Sequence, residues 1–179
     1  VEVTNCTMRN CYQGIGCKDL TGTAADYLLI TNNTFYCARF VDAGNYSAIL
    51  LLFRSASKYL SFSYNAFDQK DIAVIRTTMF GGTIDHTAMK INNNTGKVEC
   101  LLINYSPIYG TSGDAVTFAG AEMKNNNLTC DFGKSGLNDM VVGFGGDAVT
   151  EAKIQDNIFR HAKRAIKTTA YVRIERNRL

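Results

Sequence analysis

Short stretches of alternating apolar and polar residues, each interrupted by an asparagine, recur along the whole chain. Each has an apolar residue, two mostly polar residues, Asn, any residue and a second apolar residue. The pattern occurs at residues 29–35, 62–67, 123–128, 154–159 and 174–179, and in imperfect form at 3–8 and 91–96. Alternation with a period of two is typical of β-strands, so each copy predicts a strand, a bend at the asparagine and another strand.

The copies follow one another at a spacing that indicates a structural repeat. The asparagine column stands at positions 6, 33, 65, 94, 126, 157 and 177, and subtraction gives steps of 27, 32, 29, 32, 31 and 20 residues. Repeats of this length form stacked supersecondary units. Stacking at a strand spacing of about 4.8 Å brings each amide within bonding distance of the next. The predicted ladder consists of Asn33, Asn65, Asn94, Asn126, Asn157 and Asn177.

The repeat predicts an all-β fold, namely a right-handed parallel β-helix (solenoid) of about six coils with an asparagine-ladder turn. We expect the ladder asparagine itself to bend the chain, because Asn tolerates left-handed backbone geometry. The handedness follows from the crossover rule by analogy. Residues 1–179 form a single β-helix segment in this prediction. Both ends lie inside a repeat and neither has a polar cap, so we expect a piece of a longer chain.

A second set of strands between the asparagine columns is apolar at successive positions, as in residues 48–53 and 100–103. Only alternate residues of a strand point into a core. The other apolar residues predict an exposed stripe along the stack, and such a stripe normally marks an interface. Its predicted members are Leu50, Leu52, Ile72, Val74, Leu102 and Val142. The alternative is that longer loops, such as residues 105–113, fold back over the stripe.

Composition and charge exclude several classes of protein. The formal net charge of +3 over 179 residues is too small to indicate nucleic-acid binding. No apolar run approaches the roughly 18 residues of a membrane-spanning helix, so no membrane span is predicted. The six cysteines include no CxxC pair, which favours small buried thiols over disulfides or metal ligands. We therefore expect neither a metal ion nor another cofactor.

A pentapeptide that occurs twice, at residues 113–117 and 146–150, supplies the candidate catalytic carboxylates. Coils stacked in register would place Asp114 and Asp147 one or two strand spacings apart, and paired carboxylates at such distances suit glycoside hydrolysis. Asp85 and His86 would add a third ionisable group on the coil below. The alternative is turn chemistry, because Gly-Asp is a common turn pair.

Basic and aromatic residues supply the candidate carbohydrate-binding side chains. Arg54 and Arg76 each directly follow an apolar stretch, and a column of such cations suits an acidic polysaccharide. Tyr105 and Tyr109 would provide rings for stacking against sugars, in a chain that contains no Trp. In the alternative, the cations form a solvated strand edge that prevents further strand pairing.

Coils joined by an asparagine-ladder turn resemble the pectin-lyase-like right-handed parallel β-helix superfamily over nearly the whole chain. The irregular coil lengths, the missing caps and the sheet that is apolar on both faces look most like a bacteriophage tailspike or tail-fibre β-helix. The resemblance implies a homotrimer in the virion tail, assembled with other tail proteins. It also implies that this homotrimer binds, and often cleaves, bacterial surface polysaccharide.

The catalytic motifs of the superfamily do not transfer to this sequence. It has neither the paired-Asp signature of polygalacturonase-like hydrolases nor the acidic calcium-binding cluster with a partnering Arg of pectate lyases. Depolymerase activity, as a lyase or a hydrolase, is therefore an open expectation. Two alternatives stand beside the tail protein: a bacterial carbohydrate-active β-helix enzyme, and a β-helix adhesin that is secreted or held at the bacterial cell surface.

Overall fold

A computed structural model describes residues 1–9, 13–18, 22–37, 48–53, 58–69, 73–78, 84–98, 100–104, 116–130, 140–144, 152–162, 164–168 and 172–179. Every regular element within these ranges is a β-strand, and none is a helix. The strands form three large sheets of seven, six and six strands and one small sheet of two. Their pairing is parallel throughout. The described part of the chain is therefore an all-strand structure of parallel sheets.

The strands before the asparagine column form sheet A, and the strands after it form sheet B. Sheet A contains Glu2–Thr4, Leu28–Thr31, Leu60–Ser63, Lys90–Asn92, Glu122–Lys124, Ala152–Gln155 and Val172–Glu175. Sheet B contains Thr7–Arg9, Thr34–Cys37, Ala66–Gln69, Thr95–Val98, Asn127–Cys130 and Ile158–Arg160. Sheet C contains Gln13–Lys18, Ala48–Phe53, Ala73–Thr78, Cys100–Asn104, Met140–Phe144 and Arg164–Thr168. The small sheet joins Ile84–Asp85 to Val116–Thr117.

The chain visits the three large sheets in a fixed order, A, B and then C, before it returns to A. Each strand pairs with the strands of the same sheet from the previous and the next passage. Ile30, for example, pairs with Val3 on one side and with Phe62 on the other. Equivalent positions of the sequence repeat thus meet in register. This topology is compatible with a parallel β-helix.

The bend between sheets A and B is made by the residue before the asparagine column. That residue has a positive φ in every described copy: Asn5 (55°), Asn32 (58°), Tyr64 (59°), Asn93 (58°), Asn125 (56°), Asp156 (57°) and Arg176 (51°). The expectation that the ladder asparagine bends the chain is therefore wrong. The two positions have different requirements, because the first must tolerate left-handed geometry and the second must supply a side-chain amide.

The core lies between the sheets and is built from alternate strand residues. Phe35, Phe62 and Phe67 are buried, and their rings stack with centroids 5.8–6.4 Å apart. Each such ring contributes roughly 1.5–3 kcal/mol by leaving water. Phe35 and Phe67 are paired at equivalent positions of the repeat in sheet B, so these positions form a column of core residues.

A glycine interrupts this column at position 96, where the sequence repeat lacks its second apolar residue. Gly96 pairs with Phe67 and with Leu128, and its φ is 121°. A Cβ atom at this position would lie 2.0 Å from the carbonyl oxygen of Phe67. Glycine is required here because the two strands approach too closely for any side chain.

The strand register of sheet C shows that several residues of the predicted exposed stripe lie on the core face instead. Ile75 is fully buried, and both Leu50 and Leu102 pair with it. Val142 pairs in turn with Leu102. Three predicted members of the stripe therefore stand in the column of a core residue. The sequence could not show which residues of these strands face the core. Successive positions are apolar, so no alternation of apolar and polar residues marks the inward face.

The opposite face of sheet C is still mostly apolar by position. Val74 adjoins Ile75 and so takes the other face, whereas Leu52 shares the face of Leu50. Ile72 lies outside the described residues. Register places Ile49, Leu51, Arg76, Leu101 and Ile103 on the same face as Val74. An apolar face is thus retained, but with different members.

Candidate functional site

Five of the predicted site residues lie outside the described residues: Arg54, Tyr105, Tyr109, Asp114 and Asp147. Arg76 lies in the strand Ala73–Thr78 of sheet C, but its side chain is not among those that the structure describes. The pair of catalytic carboxylates and the set of carbohydrate-binding residues named from the sequence thus stay predictions.

The ladder asparagines form one continuous hydrogen-bonded column. Each of Asn33, Asn65, Asn94, Asn126 and Asn157 is buried and donates from Nδ2 to the Oδ1 atom of the next asparagine over 2.8–3.1 Å. The same Oδ1 atom also accepts the backbone N–H of the donating asparagine, over 2.9–3.0 Å. The column ends on Asn177, which is half-buried.

The remaining Nδ2 hydrogen of each ladder asparagine binds a backbone carbonyl of sheet A, as Asn126 does to Ile91 at 2.8 Å. An amide in the middle of the ladder therefore makes four hydrogen bonds and has none left for a ligand. Cys6 occupies the column without an amide, and its backbone N–H donates to Oδ1 of Asn33 at 2.9 Å. The Cys6 thiol is exposed, so the prediction of a buried thiol is wrong for this residue.

Asp85 is half-buried at the end of the strand Ile84–Asp85, where three groups bind its carboxylate. Its Oδ1 atom accepts the backbone N–H of Thr87 at 2.9 Å and the Thr87 hydroxyl at 2.6 Å, and Oδ2 lies 2.7 Å from Nζ of Lys58. Partial burial acts to raise the pKa of Asp85, but the hydrogen bonds from Lys58 and Thr87 outweigh it and lower the pKa. The carboxylate is therefore charged at neutral pH and is a poor proton donor.

His86 lies in the core, although it adjoins Asp85 in the sequence. It is fully buried, and its ring centroid lies 5.0 Å from that of Phe118. Neither ring nitrogen has a hydrogen-bond partner among the described residues. Burial lowers the pKa of His86 to about 4, against a smaller opposing effect of the Asp85 charge. Asp85 and His86 thus lie in different environments, because the Asp85 side chain is partly exposed and the His86 side chain is fully buried.

Side chains from three successive passages of the chain make two sets of contacts, which adjoin at residues 58 and 59. The rings of Tyr27 and Tyr59 pack edge to face with centroids 5.6 Å apart, and Nζ of Lys90 lies 4.3 Å from the centroid of Tyr27. Lys58, which pairs with Asp85, directly precedes Tyr59. We name Tyr27, Lys58, Tyr59, Asp85 and Lys90 the tyrosine cluster. It combines two half-buried aromatic rings with two cations and one carboxylate.

Sequence reasoning identified only Asp85 among the members of the tyrosine cluster. A usable signal was present, because Tyr27 and Tyr59 each stand six residues before a ladder asparagine (33−27 and 65−59). Equivalent positions of a parallel stack are neighbours, so this shared offset predicts contact between the two rings. The position of Lys90 over Tyr27 had no such signal, since it depends on the direction of a long side chain.

The described residues contain no group of three or more His, Cys, Asp or Glu side chains that could hold a metal ion. Among the same residues, no helix is long and apolar enough to cross a membrane. Comparisons with protein-family models, with curated proteins and with solved structures gave no match for this chain.

Proposed function

We propose that the chain is a right-handed parallel β-helix of about six coils that recognises bacterial surface polysaccharide as part of a viral tail spike or fibre. The fixed order of the three sheets and the parallel pairing support the β-helix, and the crossover rule supports its hand. The assignment to a viral tail rests on a resemblance in the irregular coil lengths and in the sheet that is apolar on both faces.

The observation that carries polysaccharide recognition is the tyrosine cluster. A sugar has apolar C–H faces and a rim of hydroxyl groups, so it suits a surface with aromatic rings beside a few charged groups. Tyr27 and Tyr59 supply rings, and the Lys58–Asp85 ion pair and Lys90 supply donors and an acceptor beside them.

The strand stack holds this cluster in place before any ligand arrives. Tyr59 donates its backbone N–H to the carbonyl of Thr87 at 3.0 Å and accepts that of Leu28 at 2.9 Å, so three passages of the chain are joined at this point. A binding group on a rigid backbone loses little conformational freedom when the ligand binds.

Among the described residues the arrangement favours binding rather than cleavage. Asp85 is ion-paired and its pKa is lowered, and the His86 imidazole lies in the core. A depolymerase activity of the same chain would depend on Asp114 and Asp147, which lie outside the described residues.

We also propose that the chain assembles as a homotrimer along the outward face of sheet C. The apolar positions of that face, Ile49, Leu51, Val74, Leu101 and Ile103, support an intermolecular contact. Burial of aliphatic side chains at roughly 1.5–3 kcal/mol each would supply enough free energy for association.

The test of recognition is the retention of purified bacterial capsular and lipopolysaccharide glycans by the full chain, with and without Tyr59→Asn. This substitution removes the ring but keeps a residue that tolerates the φ of 54° at position 59. We expect wild-type protein to retain at least one glycan and the variant to bind it about tenfold more weakly, as loss of one aromatic contact predicts.

The matched control is Tyr64→Asn, because Tyr64 also has a positive φ and its side chain is exposed in a different turn. Its glycan retention should equal that of the wild type. Wild-type protein that retains none of the glycans would overturn the proposed function. Equal retention by the Tyr59→Asn variant would exclude the tyrosine cluster as the binding site.

A further inference from the structure

The bend between sheets A and B carries a second set of asparagines, which the amide ladder does not use. Asn5, Asn32, Asn93 and Asn125 occupy the bend position with φ values of 55–58°. Asn93 is half-buried and the other three are exposed. Stacked strands are about 4.8 Å apart, so these residues form a column along the edge where the two sheets meet. We name these four residues the bend asparagines.

The bend asparagines have a fixed backbone and a free side chain. The backbone N–H of each donates to a carbonyl of the neighbouring passage, as from Asn32 to Ser63 at 3.2 Å and from Asn93 to Lys124 at 2.9 Å. Their side-chain amides have no hydrogen-bond partner among the described residues. A substituent on the amide nitrogen of a bend asparagine would therefore break no hydrogen bond in the described part of the chain.

A threonine follows three of the four bend asparagines at a distance of two residues. These threonines are Thr7, Thr34 and Thr95. Each begins its strand of sheet B, next to a residue whose side-chain position faces the core, so its own hydroxyl takes the outward face. Asn–X–Thr is the acceptor pattern of N-linked glycosylation, in which a sugar is joined to the asparagine amide.

The position of the bend triplets separates them from the other copies of this pattern. The sequence contains six Asn–X–Ser/Thr triplets, so the pattern alone is not selective. Asn127 begins the strand Asn127–Cys130, and its Oδ1 atom accepts a hydrogen bond from Arg160. Asn45 and the side chain of Asn104 are not among the described groups. Among the described triplets, only those at the bend combine a reversal of the chain with an unpartnered amide.

We propose that Asn5, Asn32 and Asn93 are acceptor sites for an N-linked sugar, which a glycosyltransferase supplies from a donor with a phosphate leaving group. The bond between C1 of the sugar and the phosphate oxygen breaks, and a bond forms between C1 and Nδ2 of the asparagine. The phosphate leaves with the electron pair of the broken bond, and Nδ2 loses one proton. The proposal is independent of polysaccharide recognition, because it concerns a covalent bond to the chain itself.

The folded structure accommodates the product at the bend but not one residue later. Asn32 and Asn93 are separated by two strand spacings, or roughly 10 Å, since Tyr64 occupies the bend between them. Each sugar therefore has space beside the stack. Asn94, by contrast, is buried, and its Nδ2 atom donates to both Phe62 and Asn126. A sugar on a ladder asparagine would break the ladder, so the acceptor must be the bend residue.

The test exposes the purified, folded full chain to two sugar donors and locates added sugar by peptide mass spectrometry. One arm uses UDP-glucose with a soluble N-glycosyltransferase, and the other uses a lipid-linked oligosaccharide with a membrane oligosaccharyltransferase. The arm that gives a product identifies the carrier of the phosphate. We expect sugar on the peptides that contain Asn32 and Asn93, and none on Asn125, which has the same bend but no threonine two positions later.

Three substitutions separate the acceptor pattern from simple exposure. Thr34→Ala should abolish modification of Asn32 and leave that of Asn93 intact, and Thr34→Ser should retain both. Asn127→Thr should make Asn125 an acceptor, because it completes the pattern at a bend that already has the required geometry.

The proposal fails if neither donor adds sugar to Asn32 or Asn93 of the folded chain, even where a peptide of residues 28–38 accepts it. It also fails if wild-type Asn125 is modified as fully as Asn32, or if Thr34→Ala leaves the modification of Asn32 unchanged. Retention of added glycans is a separate measurement on unmodified protein, so failure of the proposed function would leave this result standing, and the reverse also holds.

Discussion

His86 is an imidazole at a place where the adjacent strand supplies a phenyl ring. Ile84 and Asp85 pair with Val116 and Thr117, so His86 and Phe118 follow at equivalent positions and their rings are in contact. A neutral imidazole fits this apolar environment, but an imidazolium would be buried without a partner among the described residues. Protonation of His86 therefore destabilises the folded state.

We predict that the full chain loses stability as the pH falls from 6.5 to about 4. The folded-state pKa of His86 is lowered to about 4, so below 6.5 the unfolded chain binds a proton that the folded chain does not. The stability is complete above 6.5 and decreases through this window by an amount on the order of 3 kcal/mol. The lowered pKa of Asp85 acts at lower pH, below its usual value of 3.8.

Urea denaturation at several pH values provides the measurement. His86→Leu should flatten the dependence between pH 6.5 and 4, whereas His161→Asn should retain it, because His161 is exposed and is the other of the two histidines. A wild-type protein that is equally stable at pH 7.5 and pH 4.5 would contradict this account of His86.

The ladder residue and the bend residue show how far single positions are predictable. The asparagine column was visible because its spacing repeats, and its amides do bond to one another. The bend was assigned one residue too late, since Asn frequently occupies both positions, as in Asn32-Asn33 and Asn93-Asn94. Tyr64 and Arg176 distinguish the bend position from the ladder position, because Tyr and Arg occur only at the bend.

The turn between sheets A and B depends on an unbroken ladder of side-chain amides. Asn126 accepts from both the backbone and the side chain of Asn94, and it donates to Asn157 and to the carbonyl of Ile91. We predict that Asn126→Ala costs about 2–4 kcal/mol of unfolding free energy, because buried partners on both sides are left unsatisfied.

Asn127→Ala is the control for this ladder prediction. Asn127 is the next residue, but it is exposed and its Oδ1 atom binds only the side chain of Arg160. Its loss should change the free energy of unfolding by less than about 0.5 kcal/mol. Similar denaturation midpoints for Asn126→Ala and wild type would show that the ladder does not stabilise the stack.

The close approach of two strands at Gly96 leads to a further prediction. Gly96→Ala should destabilise the fold by at least about 3 kcal/mol, because its Cβ atom would lie 2.0 Å from a backbone oxygen and its φ of 121° is unfavourable for alanine. Thermal unfolding followed by circular dichroism measures the effect. Gly120→Ala is the comparison, since Gly120 also has a positive φ but has no atom within 4 Å of the added Cβ.

Gly120→Ala should therefore show backbone strain alone, roughly 1–2 kcal/mol. Equal effects of the two substitutions would mean that contact with Phe67 is not what excludes a side chain at position 96. The sequence showed Gly96 only as an exception to the repeat. Its cause depends on the distance between two backbones, which no pattern of residue types contains.

Register determines which surfaces of the whole molecule are available for assembly. The apolar strands of sheet C predicted an oligomer from the sequence. Which of their residues face outward follows only from the burial of Ile75. We predict that Val74→Lys combined with Leu101→Lys weakens the proposed homotrimer, because these neighbouring positions take the face opposite Ile75.

Sedimentation of the full chain at micromolar concentration measures this assembly. Thr31→Lys combined with Ser61→Lys adds the same charge to the outward face of sheet A and should leave the mass of the assembly unchanged. A wild-type protein that sediments as a monomer, or a Val74 and Leu101 double variant that sediments like wild type, would exclude this face as the contact.

The asparagine column has a direction, and this direction gives the stack of strands an electrical polarity. Every side-chain bond in it runs the same way, from Asn33 towards Asn177, so the amide dipoles align along the axis of the stack as peptide dipoles do in an α-helix. Aligned bonds polarise one another, so each added amide strengthens its neighbours. The two directions along the stack are therefore electrostatically inequivalent even where the surface charges are balanced.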